Sequence, residues 1–361
     1  ENSSTTNFLG KNSAEIEALT LDSLASIDSP YIDGTFVNAK WGSIDPDSGT
    51  TTELTYYITP SGYALSDGRT SVASDWFEEQ AVSEANSAFT DVANISFTEV
   101  NSDEYADANF RWAFTTGPWL GVADFPGLYG DVTSDVIIYN NQYTSNIDLS
   151  VGGYYYITFT HELGHALGLA HPHNGGGAWD FNPYNGEFGS ELYPGVTSST
   201  SGGDNYLNST PYTVMTYNDS TSSLTTTNTL GNTEYVTPRN TVDYGYNENL
   251  GVFDIATLQY LYGPNTTKSI GDDIYDINFD TPNGYVTIWD NGGTDAINAE
   301  SSENAVTIDL RNATLLNEDG GGGYISKADG SHSGFVIAYN TTGTAIIENA
   351  TGSEYNDIIV G

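Results

Sequence analysis

The chain has 361 residues, more than one compact core usually organises, and 38% are hydrophobic, which excludes global disorder. Asp and Glu total 48 against 8 Lys and Arg, a formal charge of -40, so nucleic acid and anionic membranes make poor partners. There is no cysteine, hence no disulfide, and no run approaches the ~18 apolar residues that a spanning helix needs. The carboxylate surplus, with abundant Asn and Gly, suits a salty medium or a high demand for hard cations such as calcium. The absence of cysteine suits an exported protein, and a start at Glu1 with no basic-then-apolar signal reads as a processed or trimmed product.

In chain order, residues 1–34 are polar with a weak helical pattern at Ile16, Leu19, Leu24 and Ile27, and read as a loosely attached leader. Leu54, Tyr56 and Ile58 alternate as a half-buried strand does. Over 71–92, Phe77, Ala81, Ala85, Ala88, Phe89 and Val92 recur at helical spacing, which puts Glu78, Glu79 and Glu84 on the polar side. Strands follow near Ile95–Val100 and Ala108–Phe114, with a short apolar run at Val136–Tyr139. A helix begins near Tyr155 and runs to about Gly168. This interleaving predicts an α/β (α+β) first region. Residues 174–250 are mostly Gly, Asn, Ser, Thr, Asp and Tyr, a long irregular stretch that reads as functional or ligand-pinned. Residues 252–262 form one more helix, ended by Gly263-Pro264. Short β-rich runs between Gly/Asp/Asn turns then predict an all-β region. The expected division is 1–34, 35–262 and 263–361.

Residues 161–171 read HELGHALGLAH. His161 and His165 are four apart, so on a helix they share a face one turn apart and reach one zinc ion. Glu162 lies beside the metal and not on it, the place for a base that takes a proton from water there. Gly168 lets the chain leave the helix, and His171 returns as a third ligand. Three protein ligands leave an open position, the mark of a catalytic rather than a structural zinc site. A single histidine on a helix is ordinarily packed or solvated. Here three of the chain's five histidines fall in one spaced pattern. His173 reads as a surface or supporting group, and His332 carries no assignment.

Met215, the only methionine, lies in PYTVMTY at 211–217. A lone methionine is usually core packing, and in the class of zinc protease this motif resembles that is roughly its job, a turn that floors the metal site with a soft apolar side chain. Tyr217 lies two residues on, within reach of the metal or of a developing oxyanion. As one of 26 tyrosines, it gains meaning only from that offset.

HExxHxxGxxH followed by a methionine turn resembles the metzincin clan of zinc proteases. Met-Thr-Tyr at 215–217 resembles the Met-Ser-Tyr of the serralysins, bacterial secreted proteases of the alkaline-protease type. Astacins share the tyrosine offset, so the C-terminal region decides. WDNGGTD at 289–295 and IENA at 347–350 resemble serralysin stretches, and GSEYNDIIVG at 352–361 resembles the opening of a calcium-binding parallel β-roll repeat. The resemblance runs from about residue 35 to 361. It implies a metzincin protease domain followed by a calcium-binding β domain that is truncated at the start of the roll. It implies one zinc on His161, His165 and His171, with Tyr217 as a further, movable ligand and Glu162 as base. It also implies several calcium ions: one set on Ser269, Gly271, Gly292, Asp290 and Asp295, with Asp273 where the family usually has threonine, and a neighbouring set on Gly293, Asp295 and Glu348. Such Gly-Asp turns also serve as plain hairpin loops.

There are departures. Ser353 and Tyr355 replace two glycines of the repeat, and one repeat is present where roughly three are needed for stability, so Gly361 reads as a cut end. Asn218 stands where the family often has tryptophan. The expected function is a secreted, extracellular, monomeric zinc endopeptidase acting on proteins and peptides. The substrate is expected to pair with an edge strand near Val136–Tyr139. A calcium-dependent adhesion protein with a dead protease domain, and a metzincin of the astacin kind, are the competing readings.

Overall fold

A computed structural model of the chain describes residues 16–18, 29–35, 39–42, 50–101, 108–126, 133–143, 149–173, 192–218, 225–227, 233–235, 245–276, 284–331, 333–339 and 346–361. Leu19, Leu24, Ile27, His332 and much of 174–250 lie outside the described residues. The elements up to Tyr262 are β1 (Ile16–Ala18), α1 (Pro30–Asp33), β2 (Ala39–Trp41), β3 (Thr52–Ile58), α2 (Trp76–Val92), β4 (Ile95–Glu99), β5 (Phe110–Thr115), β6 (Gly121–Ala123), β7 (Ser134–Tyr139), α3 (Tyr156–Ala166), β8 (Thr225–Thr227), β9 (Thr233–Tyr235) and α4 (Val252–Tyr262). After Gly263 come β10 (Ile274–Asp276), β11 (Tyr285–Ile288), β12 (Ala296–Asn298), β13 (Val306–Asp309), β14 (Lys327–Ala328), β15 (Gly334–Ile337), β16 (Asn349–Thr351) and β17 (Ile358–Val360), with no helix among the described residues.

The first region is a five-stranded sheet in the order β4-β3-β5-β7-β6. The first four strands are parallel, and β6 closes one edge antiparallel to β7. Strand β7 is buried at every position, as a central strand covered on both faces must be. Helices α2 and α3 lay Ala81, Ala85, Phe89, Phe159 and Leu163 into one core with Trp112, Phe114 and Val136. Asp75 starts α2: its side chain accepts from the backbone N–H groups of Phe77 and Glu78, while Glu78 accepts from the N–H of Asp75. That box corrects the helical-face reading. Glu78 is buried, taking the Tyr143 hydroxyl at 2.5 Å, and Phe77 is exposed beside Trp76. Spacing alone ignored the pull of two orphan N–H donors at a helix start.

The N-terminal segment also departs from its sequence reading. Ile16–Ala18 pair antiparallel with Ala39–Trp41 as a strand. Tyr31, on α1, is fully buried and stacks on Phe253 with ring centroids 4.3 Å apart. Strand β2 then seals helix C-termini. Trp41 Nε1 donates to Ala166 O at 2.8 Å, the Tyr262 hydroxyl donates to Leu167 O at 2.8 Å, and buried Lys40 donates to Leu261 O. Orphan carbonyls, at the negative end of each helix dipole, account for a buried ammonium there.

Helix α4 stops at Gly263, whose φ of +78° suits a residue without Cβ. Beyond it the ladders are mostly parallel, β10-β12-β16, β11-β15 and β13-β17, with β14 antiparallel on β13. Ile288, Ile297, Val306, Ile308 and Phe335 form a core of their own. Yet Trp289, Ala313, Val336, Ala338 and Tyr339 belong to the core of the helices and the five-stranded sheet. The change at residue 263 is one of architecture, and apolar packing runs across it.

Candidate metal centres

Helix α3 carries His161 and His165, and its end delivers the third histidine. Gly168 has φ +101°. Gly168 N donates to His165 O at 2.9 Å, and Leu169 N donates to Gly164 O at 2.9 Å. This paired reversal needs a glycine at its left-handed residue. It returns His171 to the helix face: His171 Nε2 lies 3.0 Å from His161 Nε2 and 2.9 Å from His165 Nε2. The other ring nitrogens are committed. His161 Nδ1 donates to Val214 O at 2.8 Å and His165 Nδ1 to Leu169 O at 2.7 Å, which leaves their Nε2 lone pairs converging. Those separations approach the ~3.3 Å edge of a tetrahedron whose ligands sit about 2.0–2.1 Å from a zinc ion. Burial lowers the His161 imidazole to about 4 and holds His165 and His171 well below the usual range, so all three are neutral donors. The donor set fits zinc.

The Tyr217 hydroxyl joins the cluster 3.0 Å from His171 Nε2, while the residue as a whole is exposed. Burial pushes the Glu162 carboxyl up to about 8. Met215 is fully buried beneath the site. A Cβ at Gly164 would lie 2.8 Å from its Sδ, so the helix glycine is what lets the turn approach.

The sheet edge beside the site is β6, half-buried at every position. Tyr139 N donates to Leu120 O and Asp124 N to Asp135 O, so the rungs at 120, 122 and 124 face β7. The backbone groups of Gly121 and Ala123 therefore point away from the sheet. Gly121 passes directly over the base, for a Cβ there would lie 2.8 Å from Glu162 Oε1. This corrects the placement of the edge near Val136–Tyr139: those residues lie inside the sheet, and β6 covers them. A three-residue strand beginning with glycine has too little alternation to be seen in sequence.

The chain is similar to several known proteins. Serralysin of Proteus mirabilis is 31% identical over 298 residues, covering 76% of this chain and 52% of the relative. Serralysin C of Dickeya chrysanthemi is 28% identical across 93% of this chain and 64% of its own length. Metallopeptidase AprA of Pseudomonas marginalis is 29% identical across 77% and 52%. The chain is similar to serralysins over most of its own length. It spans between about half and just under two thirds of the length of these relatives. No protein-family model matches it. The solved structure of myroilysin overlaps at 16% identity with a TM-score of 0.32, too low to argue a shared fold.

A second cluster lies in the C-terminal region of the chain. Asp273, Asp290 and Asp295 bring carboxylate oxygens within 4.8 Å of one another. Asp290 and Asp295 are buried, and Asp295 Oδ2 has no hydrogen-bond partner among the described residues. Burial raises the Asp295 carboxyl, and the charges of Asp290, Glu348 and Asp273 add to it. Three crowded carboxylates with an orphaned buried oxygen are the donor chemistry of a hard cation. Around them, Asn291 N donates to Ser269 O, Gly292 N to Asp290 Oδ1, Asp273 N to Asp295 Oδ1 and Asp295 N to Glu348 Oε2. Gly293, at φ +149°, packs against Gly271 O so closely that a Cβ would lie 2.1 Å away. All the sequence-assigned positions thus fall in one neighbourhood.

Sequence reasoning missed two supports, Tyr275 and Asp254, and left the contacts of Asn218 open. Tyr275 donates its hydroxyl to Asp290 Oδ2 at 2.5 Å. Asp254, fully buried on α4, accepts from Thr213 Oγ1 at 2.6 Å, Val214 N at 2.7 Å and Gly251 N at 2.9 Å, binding the methionine turn to that helix. Because Val214 O receives His161 Nδ1, Asp254 also steadies a histidine of the triad. Its only sequence signal is an acid in the first turn of an otherwise apolar helix. Asn218 is knitted inward, Nδ2 donating to Asn208 O at 3.0 Å and Ser201 O at 3.3 Å, and it builds no aromatic wall.

Proposed function

We propose that the chain is the catalytic part of a secreted zinc metalloendopeptidase of metzincin architecture that hydrolyses peptide bonds of proteins. The observation that carries this is the convergence of three histidine Nε2 atoms and the Tyr217 hydroxyl next to buried Glu162, beneath an open sheet edge. His161, His165 and His171 would hold the zinc, with Tyr217 as a movable fourth ligand. A zinc ion there supplies Lewis-acid polarisation of the scissile carbonyl and makes water more acidic. Glu162 takes a proton from the attacking water and delivers it to the leaving amide nitrogen. Tyr217 O–H donates to the oxyanion that develops on the carbonyl oxygen. An extended substrate would pair with the outward N–H and C=O groups of Gly121 and Ala123, which aligns its scissile bond over Glu162.

Calcium is proposed for the acidic cluster, on Asp273, Asp290, Asp295, Glu348 and the backbone oxygens of Ser269, Gly271, Gly292 and Gly293. The parallel ladders β10-β12-β16 and β13-β17 suit the opening of a β-roll. A three-part division at 34 and 262, a monomer, and an extracellular site of action complete the reading. No helix among the described residues is long and apolar enough to cross a membrane.

The test is elemental analysis of the purified protein alongside casein hydrolysis before and after a zinc chelator. About one zinc per chain, several calcium ions, and activity restored by zinc are expected. Folded protein with calcium but neither zinc nor hydrolysis would overturn the protease reading in favour of a calcium-dependent binding module.

A further inference from the structure

His173 is the titratable side chain next to the zinc site that the mechanism leaves unused. Its imidazole lies nearly parallel to that of His171, with ring centroids 5.0 Å apart at 16°, and against the Tyr217 ring at 4.6 Å and 53°. Its Nδ1 is buried with no hydrogen-bond partner among the described residues. Three imidazoles thus contact the Tyr217 ring: His161 at 5.8 Å, His171 at 4.7 Å and His173 at 4.6 Å. The first two face the metal position. His173 is the one outside the triad. Its backbone is rooted, because Pro172 precedes it with a fixed φ and Pro172 O accepts the N–H of buried Tyr193 at 3.1 Å.

We propose that His173 is a positioning residue whose ring seats Tyr217 against the histidine triad, and so sets how readily the phenol leaves the metal and reaches substrate. The proposal rests on the zinc-site reading above. A ring packed against both His171 and Tyr217, which also touch each other, biases a two-position side chain by contact area and ring electrostatics, and needs no hydrogen bond.

Zinc is removed from the full chain and replaced by copper(II), which imidazole ligands also bind. Phenolate coordination gives copper a visible charge-transfer band that imidazole ligands alone do not. The wild type should show the band and Tyr217→Phe should lack it. In His173→Ala the band should fall by about two- to tenfold, with bound copper per chain unchanged. His173→Phe, which keeps a ring and removes both nitrogens, should retain it. In the zinc enzyme, His173→Ala should lower kcat at unchanged KM, and should have no effect when added to Tyr217→Phe. A wild-type band in His173→Ala, a His173→Phe variant as impaired as His173→Ala, or a kcat loss that persists in the Tyr217→Phe background would each overturn the seating role. Copper that fails to bind any variant, or a band that survives Tyr217→Phe, would instead overturn the underlying metal assignment, and the seat with it.

Discussion

The two ligand clusters are built on opposite principles. The histidine triad is assembled from a helix and its C-terminal reversal. Two of its rings are aimed by backbone carbonyls, and burial keeps all three neutral. It can hold its shape without an ion, because neutral imidazoles do not repel strongly. The acidic cluster sits on loops, and its carboxylates crowd within 4.8 Å against their own charge. Backbone N–H donors offset part of that repulsion, and the cation proposed there would supply the rest. The lesson is that a pre-organised centre would keep its fold without its ion, whereas the acidic centre, if it holds the proposed calcium, would couple folding to that ion.

The largest expected effect strikes the first centre alone. Glu162→Gln should keep its zinc and lose roughly 10²–10⁴-fold in kcat, measured by peptide hydrolysis beside metal content. Turnover near wild type would remove Glu162 as the base. The same variant tests the electrostatics. In metal-free protein the folded Glu162 pKa of about 8 exceeds its unfolded value of about 4.3. Stability from this group is therefore complete below about pH 4.3 and lost as pH rises through about 8. Urea-unfolding free energies of metal-free wild type should thus fall below those of Glu162→Gln by up to several kcal/mol at pH 9 and match them near pH 4. Parallel pH profiles would mean the carboxylate is better solvated than its burial implies.

The second centre should respond in stability. A calcium-selective chelator should lower the thermal midpoint, by an amount equivalent to about 3–4 kcal/mol if calcium had been supplied at 100–1,000 times its dissociation constant. In chelator, Asp295→Asn should be more stable than wild type, because it removes one of three crowded charges. In calcium the order should invert. A midpoint indifferent to calcium would leave the carboxylates a plain loop cluster. The smallest effect joins helix to methionine turn. Gly164→Ala gains helix propensity but sets a Cβ 2.8 Å from Met215 Sδ, and should cost a net ~1 kcal/mol in denaturant unfolding. A stabilised variant would mean that Met215 yields freely.

Much of this was legible because the chemistry is local. HELGHALGLAH carries its own geometry: i, i+4 spacing for two ligands, a glycine for the reversal, and three residues to the third ligand. Helix α4 was equally plain, as an apolar run ended by Gly-Pro. What escaped the sequence depends on partners remote in the chain. Glu78 sits on the polar arc of its helix by spacing, yet turns inward to Tyr143, 65 residues on. Tyr31 lies in a polar leader by composition, yet packs on Phe253. Strand β6 is too short for a period and exists because β7 offers it an edge.

The sequence by itself determined the donor types and the local turns that gather them, since side-chain chemistry and backbone freedom are properties of each residue. Only the tertiary structure decided which edge stands open above Glu162. It alone set Asp254 behind the methionine turn and His173 against Tyr217. Those relations are set by packing between segments far apart in the chain, whose energies no single stretch contains.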